Sequence, residues 1–261
     1  YARRYQQRDD VKQVAFRIGV VYADAGQHEA AAHAFSDYAV RYPGTTQTIE
    51  AFSRQGAEYI AAGQDKKAAG PLKEAVALFK RMNDKAAAGA AAHARYLEGE
   101  MLFHEFERVK LATDAKKLKR TLDDKSQLLE KAKQAYVDVV TFNDPEWATA
   151  ALYRIGDAYE RFSKALRGAP VPAQLSADEQ QVYRDELEKV VVVVEEKAID
   201  AYKTGYQKAL QLGVYNEFTQ KLRAALGRMS DQEFPPEAEA RARPAVAEPR
   251  PELPFVSAVQ R

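Results

Sequence analysis

The sequence predicts an all-α fold, and two observations support this prediction. Apolar residues recur at helical spacing along most of the chain, whereas alternating apolar and β-branched runs between turns, which would predict strands, are missing. Small, aromatic and proline residues also recur at fixed steps of three, four, five, four and eight along one early stretch. The residues of that stretch are Gly19, Tyr22, Gly26, Ala31, Phe35 and Pro43.

Each residue type in this series has a physical reason to be there. The first glycine allows two helices to approach closely, and Tyr22 and Phe35 are expected to fill the space between them. Ala31 is small because the partner helix crosses on top of it, so it should be buried, as should its equivalent Ala68. Gly26 ends the first helix and a proline closes the second, because proline cannot continue a helix.

The same pattern returns later in the chain. The next copy begins 37 residues after the first (56 − 19), and it consists of Gly56, Tyr59, Gly63, Ala68 and Ala75. ALYRIGDAYERF at 151–162 repeats the first helix, YLEGEMLF at 96–103 is a weaker copy, and LLEKAKQAYVDVV at 128–140 keeps the small–aromatic spacing. On these residues the chain resembles the tetratricopeptide-repeat (TPR) family over roughly 9–166. The resemblance implies a solenoid of helix–turn–helix units of about 34 residues that binds other proteins.

Composition excludes several classes of protein. The 261 residues are 46% hydrophobic, which is enough for a thin layered core, and a net charge of +1 gives no global field for nucleic acid or anionic lipid. No stretch approaches the roughly 18 apolar residues that a membrane span needs. The absence of cysteine excludes disulfides, cysteine-ligated metals and thiol nucleophiles. The chain begins at Tyr1 rather than Met, so a fragment or a processed product is expected.

Four helices are predicted in the first 82 residues. Pro43-Gly44-Thr45 forms the turn after the second helix, and Gly63 ends the third. Pro71 would lie near the start of the fourth helix, and because proline is tolerated only in a first turn, Ala69 is a possible alternative start. The predicted bounds of the four helices are about 9–25, 27–42, 46–62 and 65–82.

The third unit is expanded. Gly99 and Gly156 are 57 residues apart, about 23 more than one repeat of about 34, and neither Gly nor Pro interrupts 101–127. We expect a projecting hairpin of two lengthened helices with its tip near Thr113; one extra short helix folded onto the solenoid is the alternative. The two helices are predicted over about 84–110 and 113–142.

The helices after this hairpin have clear capping signals. Asp144-Pro145 begins one helix, Ser176 and Glu179 form a capping box at the start of a long helix, and Asn216 caps the last. Val190 to Val194 lies inside the long helix, and because valine is a mediocre helix former the run should be buried on several sides. The predicted organisation is TPR-like repeats over 1–166, a loop over 167–175, capping helices over 176–229 and a tail over 230–261.

The tail is predicted to be disordered. Six of the 11 prolines lie between Pro235 and Pro254, among Glu, Arg and Ala, so the segment cannot bury enough apolar surface to become ordered. Its end, Leu253-Pro-Phe255-Val256, is apolar enough to dock. The segment 198–237, which contains LGVYNEF, resembles the closing segment of bacterial cell-envelope TPR proteins that act with gliding-motility or surface-assembly machineries.

No catalytic motif is present. G-x-S-x-G, G-x-x-x-x-G-K-[ST], G-x-G-x-x-G and H-E-x-x-H are all missing, and Arg108 stands where the second His of the last motif would follow His104-Glu105. Enzymatic activity, a cofactor and a metal site are therefore not expected.

The resemblance implies that the first helices of successive repeats line a protein-binding groove. Clamps for a peptide carboxylate have Lys and Asn where Phe16 and Val20 stand here, so such a clamp is not expected. The alternative is that the groove residues pack on the next repeat or on the long C-terminal helix. The groove residues are Phe16, Val20, Ala23, Ser53, Ala57, Ile60, His93, Tyr96, Glu100, Tyr153, Asp157 and Glu160.

A second candidate surface is the basic tip of the predicted hairpin. It has no aromatic residue between its charges, so base stacking with a nucleic acid is not expected. Contact with an acidic protein or lipid surface and a merely solvated face are the two interpretations. The basic tip consists of Lys110, Lys116, Lys117, Lys119 and Arg120.

The sequence thus predicts a protein–protein interaction scaffold whose partners are other proteins. The resemblance implies a subunit of a bacterial envelope assembly, in the periplasm or at the periphery of the outer membrane, with the cytoplasm as the alternative. A structural subunit that self-assembles by stacking its repeats is the alternative function.

Overall fold

A computed structural model describes residues 10–172 and 174–235, apart from the side chains of Ala115 and Lys116. Within these ranges the chain forms nine α-helices and no strand. A short 3-10 turn, Lys85–Ala87, precedes the fifth helix. The helices are α1 (Val11–Asp24), α2 (His28–Arg41), α3 (Thr46–Ala61), α4 (Asp65–Met82), α5 (Ala88–Arg108), α6 (Ala115–Val140), α7 (Pro145–Arg167), α8 (Ala177–Leu212) and α9 (Glu217–Met229).

The predicted caps are present at the helix starts. Ser176 and Glu179 form a reciprocal capping box at α8, and the side chains of Asp144 and Asn216 each accept a hydrogen bond from the backbone N–H three residues on. These bonds satisfy N–H groups that have no partner within the helix. At the other end of α8, Gly213 has a φ of 66°, a left-handed conformation that glycine adopts without a steric penalty.

The helices pack in chain order. Each helix contacts the next one, and the odd-numbered helices also contact each other, α3 with α5, α5 with α7, and α7 with α9. One hydrophobic core extends from α2 to α9, and a smaller cluster around Phe16 and Phe35 joins α1 to α2 and α3. The odd-numbered helices from α3 onward therefore share one side of the molecule.

Close contacts between a glycine and a large side chain join successive helices. A Cβ atom built on each of these glycines would lie 2.3–2.6 Å from the partner side chain, so no other residue fits without displacing it. The four pairs are Gly19 with Phe35, Gly56 with Leu72, Gly99 with Tyr136, and Gly156 with Tyr202.

The sequence separation within these pairs increases along the chain. It is 16 residues in the first two pairs (35 − 19 and 72 − 56), but 37 in the third (136 − 99) and 46 in the fourth (202 − 156). The third value reflects the expanded unit predicted from sequence. The fourth shows a second expansion, because 25 residues of α8 precede Tyr202 (202 − 177).

Burial confirms two predictions and contradicts one. Ala31 and Ala68 have no exposed surface, as expected for residues at helix crossings, and Phe35 is also fully buried. Tyr22 was predicted to fill the space between two helices, but it is 38% exposed. That prediction was wrong because Phe35 already occupies the space against Gly19.

One further prediction agrees with the structure and one is corrected. Helix α4 begins at Asp65, as its predicted bounds have it, and not at the alternative Ala69, so Pro71 is the seventh residue of the helix and lies beyond its first turn. Within the valine run of α8, Val191 and Val194 are buried, but Val190, Val192 and Val193 are 45–50% exposed. The buried valines are three residues apart, so they lie on one face of the helix, and the other valines of the run face the solvent.

The predicted tail falls mostly outside the described residues, which end at Pro235. The last described residues form a turn at 231–233, and the ring of Phe234 lies against that of Tyr206, with centroids 6.3 Å apart.

Candidate protein-binding cleft

A cleft of about 480 Å³ lies between α3, the start of α5 and the start of α7. Here we call it the α3–α5 cleft. Three of the twelve predicted groove residues line it: Ser53 and Ala57 from α3, and His93 from α5. The capping of α7 by Asp144 brings Trp147, in the first turn of that helix, into the same wall.

The wall of the cleft contains a stacked aromatic pair. The rings of His93 and Trp147 lie 4.2 Å apart at 21° to each other, and Nδ1 of His93 is 3.0 Å from the Ser53 hydroxyl. Burial, together with the nearby positive charge of Arg54, lowers the pKa of His93 to about 4. His93 is therefore neutral near pH 7, and the aromatic wall has no charge of its own.

Paired charges surround the mouth of the cleft. Arg54 Nε donates to Glu50 at 2.9 Å, and Glu58 lies 2.8 Å from His28 Nδ1 in α2. Beyond the rim, Asp84 accepts hydrogen bonds from the backbone N–H of Ala86 and from the Thr46 hydroxyl, which together hold its pKa below the usual range. The mouth thus presents both signs of charge around a neutral interior.

The predicted groove residues of α1 lie elsewhere. Phe16 and Val20 line a separate cavity of about 340 Å³ beside Gln47, while Ala23 is partly buried in the small α1–α3 cluster. Ile60, near the end of α3, is partly buried against the main core. The structure therefore does not bring the α1 residues into the α3–α5 cleft.

The predicted groove residues at the middle of α5 belong to a buried polar network. Glu100 accepts a hydrogen bond from the Tyr136 hydroxyl at 2.5 Å and from Arg154 at 2.6 Å. Arg154 also donates to the Tyr96 hydroxyl at 3.3 Å. Burial and the charge of Glu100 raise the pKa of both tyrosines, so both hydroxyls stay protonated. Tyr96 and Glu100 thus join α5 to α6 and α7.

The acidic residues of α7 are also engaged internally. Asp157 accepts hydrogen bonds from Arg154 and Arg161, both at 3.0 Å. Glu160 accepts from Lys164, from the Tyr202 hydroxyl and from Arg228 in α9. Although burial alone would raise the pKa of Glu160, these donors hold it below its usual range.

Tyr153 is half-buried, and its ring lies 5.9 Å from that of Tyr202 and 6.1 Å from that of Phe218. Tyr153 and Glu160 therefore pack on the C-terminal helices, which is the alternative that the sequence left open for the groove residues. Asp157 is engaged by two arginines of its own helix. These three side chains offer few free acceptors to a partner.

The basic residues of the predicted tip surround the connection between α5 and α6. Lys110, Lys117, Lys119 and Arg120 are exposed, and the side chain of Lys116 lies outside the described residues. Arg120 has one loose ionic contact, 3.9 Å to Asp124. These side chains contribute a positively charged edge with few internal partners.

A buried lysine holds this connection together. Lys125 is 5% exposed, and its Nζ donates to the carbonyls of Phe106 at 2.6 Å and Val109 at 3.1 Å while lying 4.0 Å from the ring of Phe106. Burial lowers its pKa, against the attraction of Glu107. Sequence reasoning missed this residue, because in sequence it looks like any other lysine of a charged helix face.

The end of α5 is not a free projection. Phe106 is buried with its ring 6.3 Å from that of Phe162 in α7, and Glu107 accepts a hydrogen bond from Arg161 at 2.5 Å. The lengthened helices therefore bury surface against α7 as well as against each other.

In the part of the chain that the structure describes, no helix has the length and apolarity needed to cross a membrane. Across the same residues, no cluster of three or more His, Asp or Glu side chains is placed to hold a metal ion. Comparisons of the chain with protein-family models and with curated proteins find no match.

Proposed function

We propose that this protein is an interaction scaffold that binds a segment of another protein in the α3–α5 cleft. The observation on which this rests is the geometry of the cleft: an uncharged aromatic wall of His93 and Trp147 inside a rim of paired charges. Largely apolar cavities with a few polar groups at fixed positions are the usual form of a binding site.

We propose further that the helices are TPR-like repeats. The equal 16-residue separation of Gly19 from Phe35 and of Gly56 from Leu72 supports a repeated helix pair, as do the contacts among the odd-numbered helices. In such an architecture the first helix of each pair faces a common groove. The α3–α5 cleft lies on this side of the molecule.

The chemistry of the cleft favours an apolar or aromatic side chain flanked by polar backbone. A planar side chain can stack beside Trp147, and the guanidinium of Arg54 offers hydrogen-bond donors at the rim. Because Arg54 is already paired with Glu50, the site is poorly suited to a partner that needs one dominant charge.

The setting we propose is a bacterial envelope assembly, in the periplasm or at the periphery of the outer membrane. Its support is the similarity of residues 198–237 to the closing segment of envelope TPR proteins. Under this proposal the protein acts through binding and not as an enzyme.

A peptide-display selection on the full chain tests the proposed cleft. Peptides enriched on the wild type should lose affinity for Ala57→Gln, because the longer side chain fills the cleft from its α3 wall. Ala61→Gln is the matched control, since Ala61 is exposed on the same helix and does not line the cleft. Peptides that bind both variants as they bind the wild type would rule out the α3–α5 cleft as the site.

Self-assembly is a second candidate function, and the exposed valines of α8 favour it. Val190 and Val193 lie three residues apart on one side of the helix, both about half exposed. Light scattering after size-exclusion chromatography, over a range of concentrations, distinguishes the two functions. A self-assembling subunit should form larger species that Val190→Ser with Val193→Ser abolishes, whereas a scaffold should remain monomeric.

A further inference from the structure

A cavity lies between the end of α8 and α9. It has a volume of about 490 Å³, within the range of roughly 300–1,000 Å³ that is typical of ligand pockets. Tyr206, Leu210, Tyr215 and Ala224 supply most of its apolar lining. Leu210 and Tyr215 are 42% and 79% exposed, so the surface beside the cavity is also apolar.

An uncovered apolar surface is unusual on a terminal helix pair. Terminal units of a stacked helical protein normally present a polar outer face. Here α9, the last helix of the described residues, presents an apolar cavity, which would be stabilised by an apolar segment that covers it.

The described chain ends at the edge of this cavity. After α9 the chain turns back, and the ring of Phe234 packs against Tyr206 at 83°. Arg223 donates to the carbonyls of Phe234, at 3.2 Å, and of Pro235. Tyr206 and Arg223 both line the cavity, so the backbone is held beside it at the last described residue.

The next apolar residues in the sequence form a single cluster. Among residues 236–261, which lie outside the described part of the chain, Leu253, Phe255, Val256 and Val259 fall within seven positions. Apart from Val246, the other residues are Ala, Pro, Ser, Gln or charged. We infer that the segment 253–259 of this chain covers the cavity, with Phe255 as its anchor.

The linker length permits this contact. Leu253 follows Pro235 by 18 positions (253 − 235), so the linker can reach up to about 60 Å. Because the linker starts at the edge of the cavity, the segment only has to fold back. A tethered segment reaches an effective concentration in the millimolar range, so even weak intrinsic affinity keeps the site occupied.

The same argument favours the chain's own segment over a second copy. A contact that is weak between separate molecules is populated within one chain, because the tether reduces the entropy cost of association. The linker and segment also contain four Glu and four Arg, so residues 236–261 have no net charge to repel them from the surface around Arg223.

Disulfide trapping in the full chain tests the inference, since the natural sequence has no cysteine to interfere. Gln220 lines the cavity and is exposed, and Ser257 lies inside the proposed segment. Gln220→Cys with Ser257→Cys should form a disulfide within one chain under mild oxidation. Lys208→Cys with Ser257→Cys is the matched control, because Lys208 is exposed on α8 and does not line the cavity.

If the segment occupies the cavity, the cysteines at 220 and 257 (the cavity pair) should form a disulfide at least about tenfold faster than those at 208 and 257 (the control pair). The reason is that a bound segment has a higher effective concentration at its own site. Leu253→Ser with Phe255→Ser, added to the cavity pair, should remove this advantage while leaving the melting temperature of the helices nearly unchanged. Equal rates for the two pairs, or an advantage that survives the serine substitutions, would show that the segment does not occupy the cavity. Disulfides formed only between chains would assign the cavity to a second copy and overturn the inference.

Discussion

Gly156 of α7 lies directly against the ring of Tyr202 of α8. A Cβ atom built on Gly156 would be 2.4 Å from both Cδ1 and Cε1 of the tyrosine. Tyr202 is fully buried, and its hydroxyl donates to Glu160 at 2.8 Å. The ring is fixed at both ends and cannot move aside for a larger residue.

Gly156→Ala should therefore destabilise the protein. Overpacking in a core costs about 1–3 kcal/mol, which outweighs the roughly 1 kcal/mol that alanine gains over glycine in a helix. Gly70→Ala in α4 is the control, because a Cβ there meets no atom within 4 Å. Chemical denaturation should show a lower midpoint for Gly156→Ala and an equal or higher midpoint for Gly70→Ala. A Gly156→Ala protein as stable as the wild type would contradict the contact.

His93 should make stability depend on pH. Its pKa is about 4 in the folded protein and about 6.5 when unfolded, so between these values the unfolded state binds more protons. Stability is complete above about pH 6.5 and falls as the pH decreases toward 4, by about 3 kcal/mol at most.

The comparison of wild type with His93→Gln isolates this effect. Glutamine does not titrate and can still bond to Ser53, so the difference in free energy of unfolding between the two proteins should change between pH 7 and pH 4.5 in favour of the variant. Other groups titrate equally in both proteins. A difference that stays constant with pH would exclude a buried neutral His93.

The same substitution at two lysines of α6 should change the stability of the protein by different amounts. Lys125→Met removes the charged donor of the carbonyls of Phe106 and Val109, although Phe106 keeps a bond from the Val109 N–H at 3.3 Å. Loss of such a bond in a buried site costs about 1–3 kcal/mol. Lys117→Met removes only an exposed charge and should change stability by less than about 0.5 kcal/mol. Thermal melts of both variants, followed by circular dichroism, measure these two changes in stability. Similar losses in both would mean that Lys125 does not cap α5.

The valine run offers an isosteric test of which side of α8 is buried. Val191→Thr places a hydroxyl in the core and should cost about 1–3 kcal/mol. Val193→Thr makes the same change on a half-exposed side chain and should be nearly neutral. Equal destabilisation by the two substitutions would contradict the burial of Val191 and the exposure of Val193.

The sequence was a good guide to the local features of the fold. Helix caps such as Ser176 and Asn216, the small residues Ala31 and Ala68, and the absence of strand patterns depend on neighbours close in sequence, and they were predicted. Because residues at helix crossings must be small enough to fit, they recur at a regular spacing that can be recognised in the sequence.

Features set by distant neighbours were harder to predict. Val190 and Val193 lie on the face of α8 that is exposed to solvent, and no pattern inside the valine run shows which face that is. Glu100 and Glu160 have acidic side chains suited to a groove, but they have arginine and tyrosine partners in other helices, up to 68 residues away in the case of Arg228 and Glu160. Of the residues that line the candidate cleft, only Ser53, Ala57 and His93 are among those that the resemblance implied.

The unequal separations between each glycine and its partner have a consequence for the order of folding. Closing a loop of 46 residues instead of 16 costs about 1 kcal/mol more in chain entropy. The α1–α2 and α3–α4 pairs can therefore form early from nearby residues, whereas α7 and α8 must wait until a longer stretch has been brought together. In pulsed hydrogen exchange during refolding, the amides around Phe35 and Leu72 should gain protection before those around Tyr202.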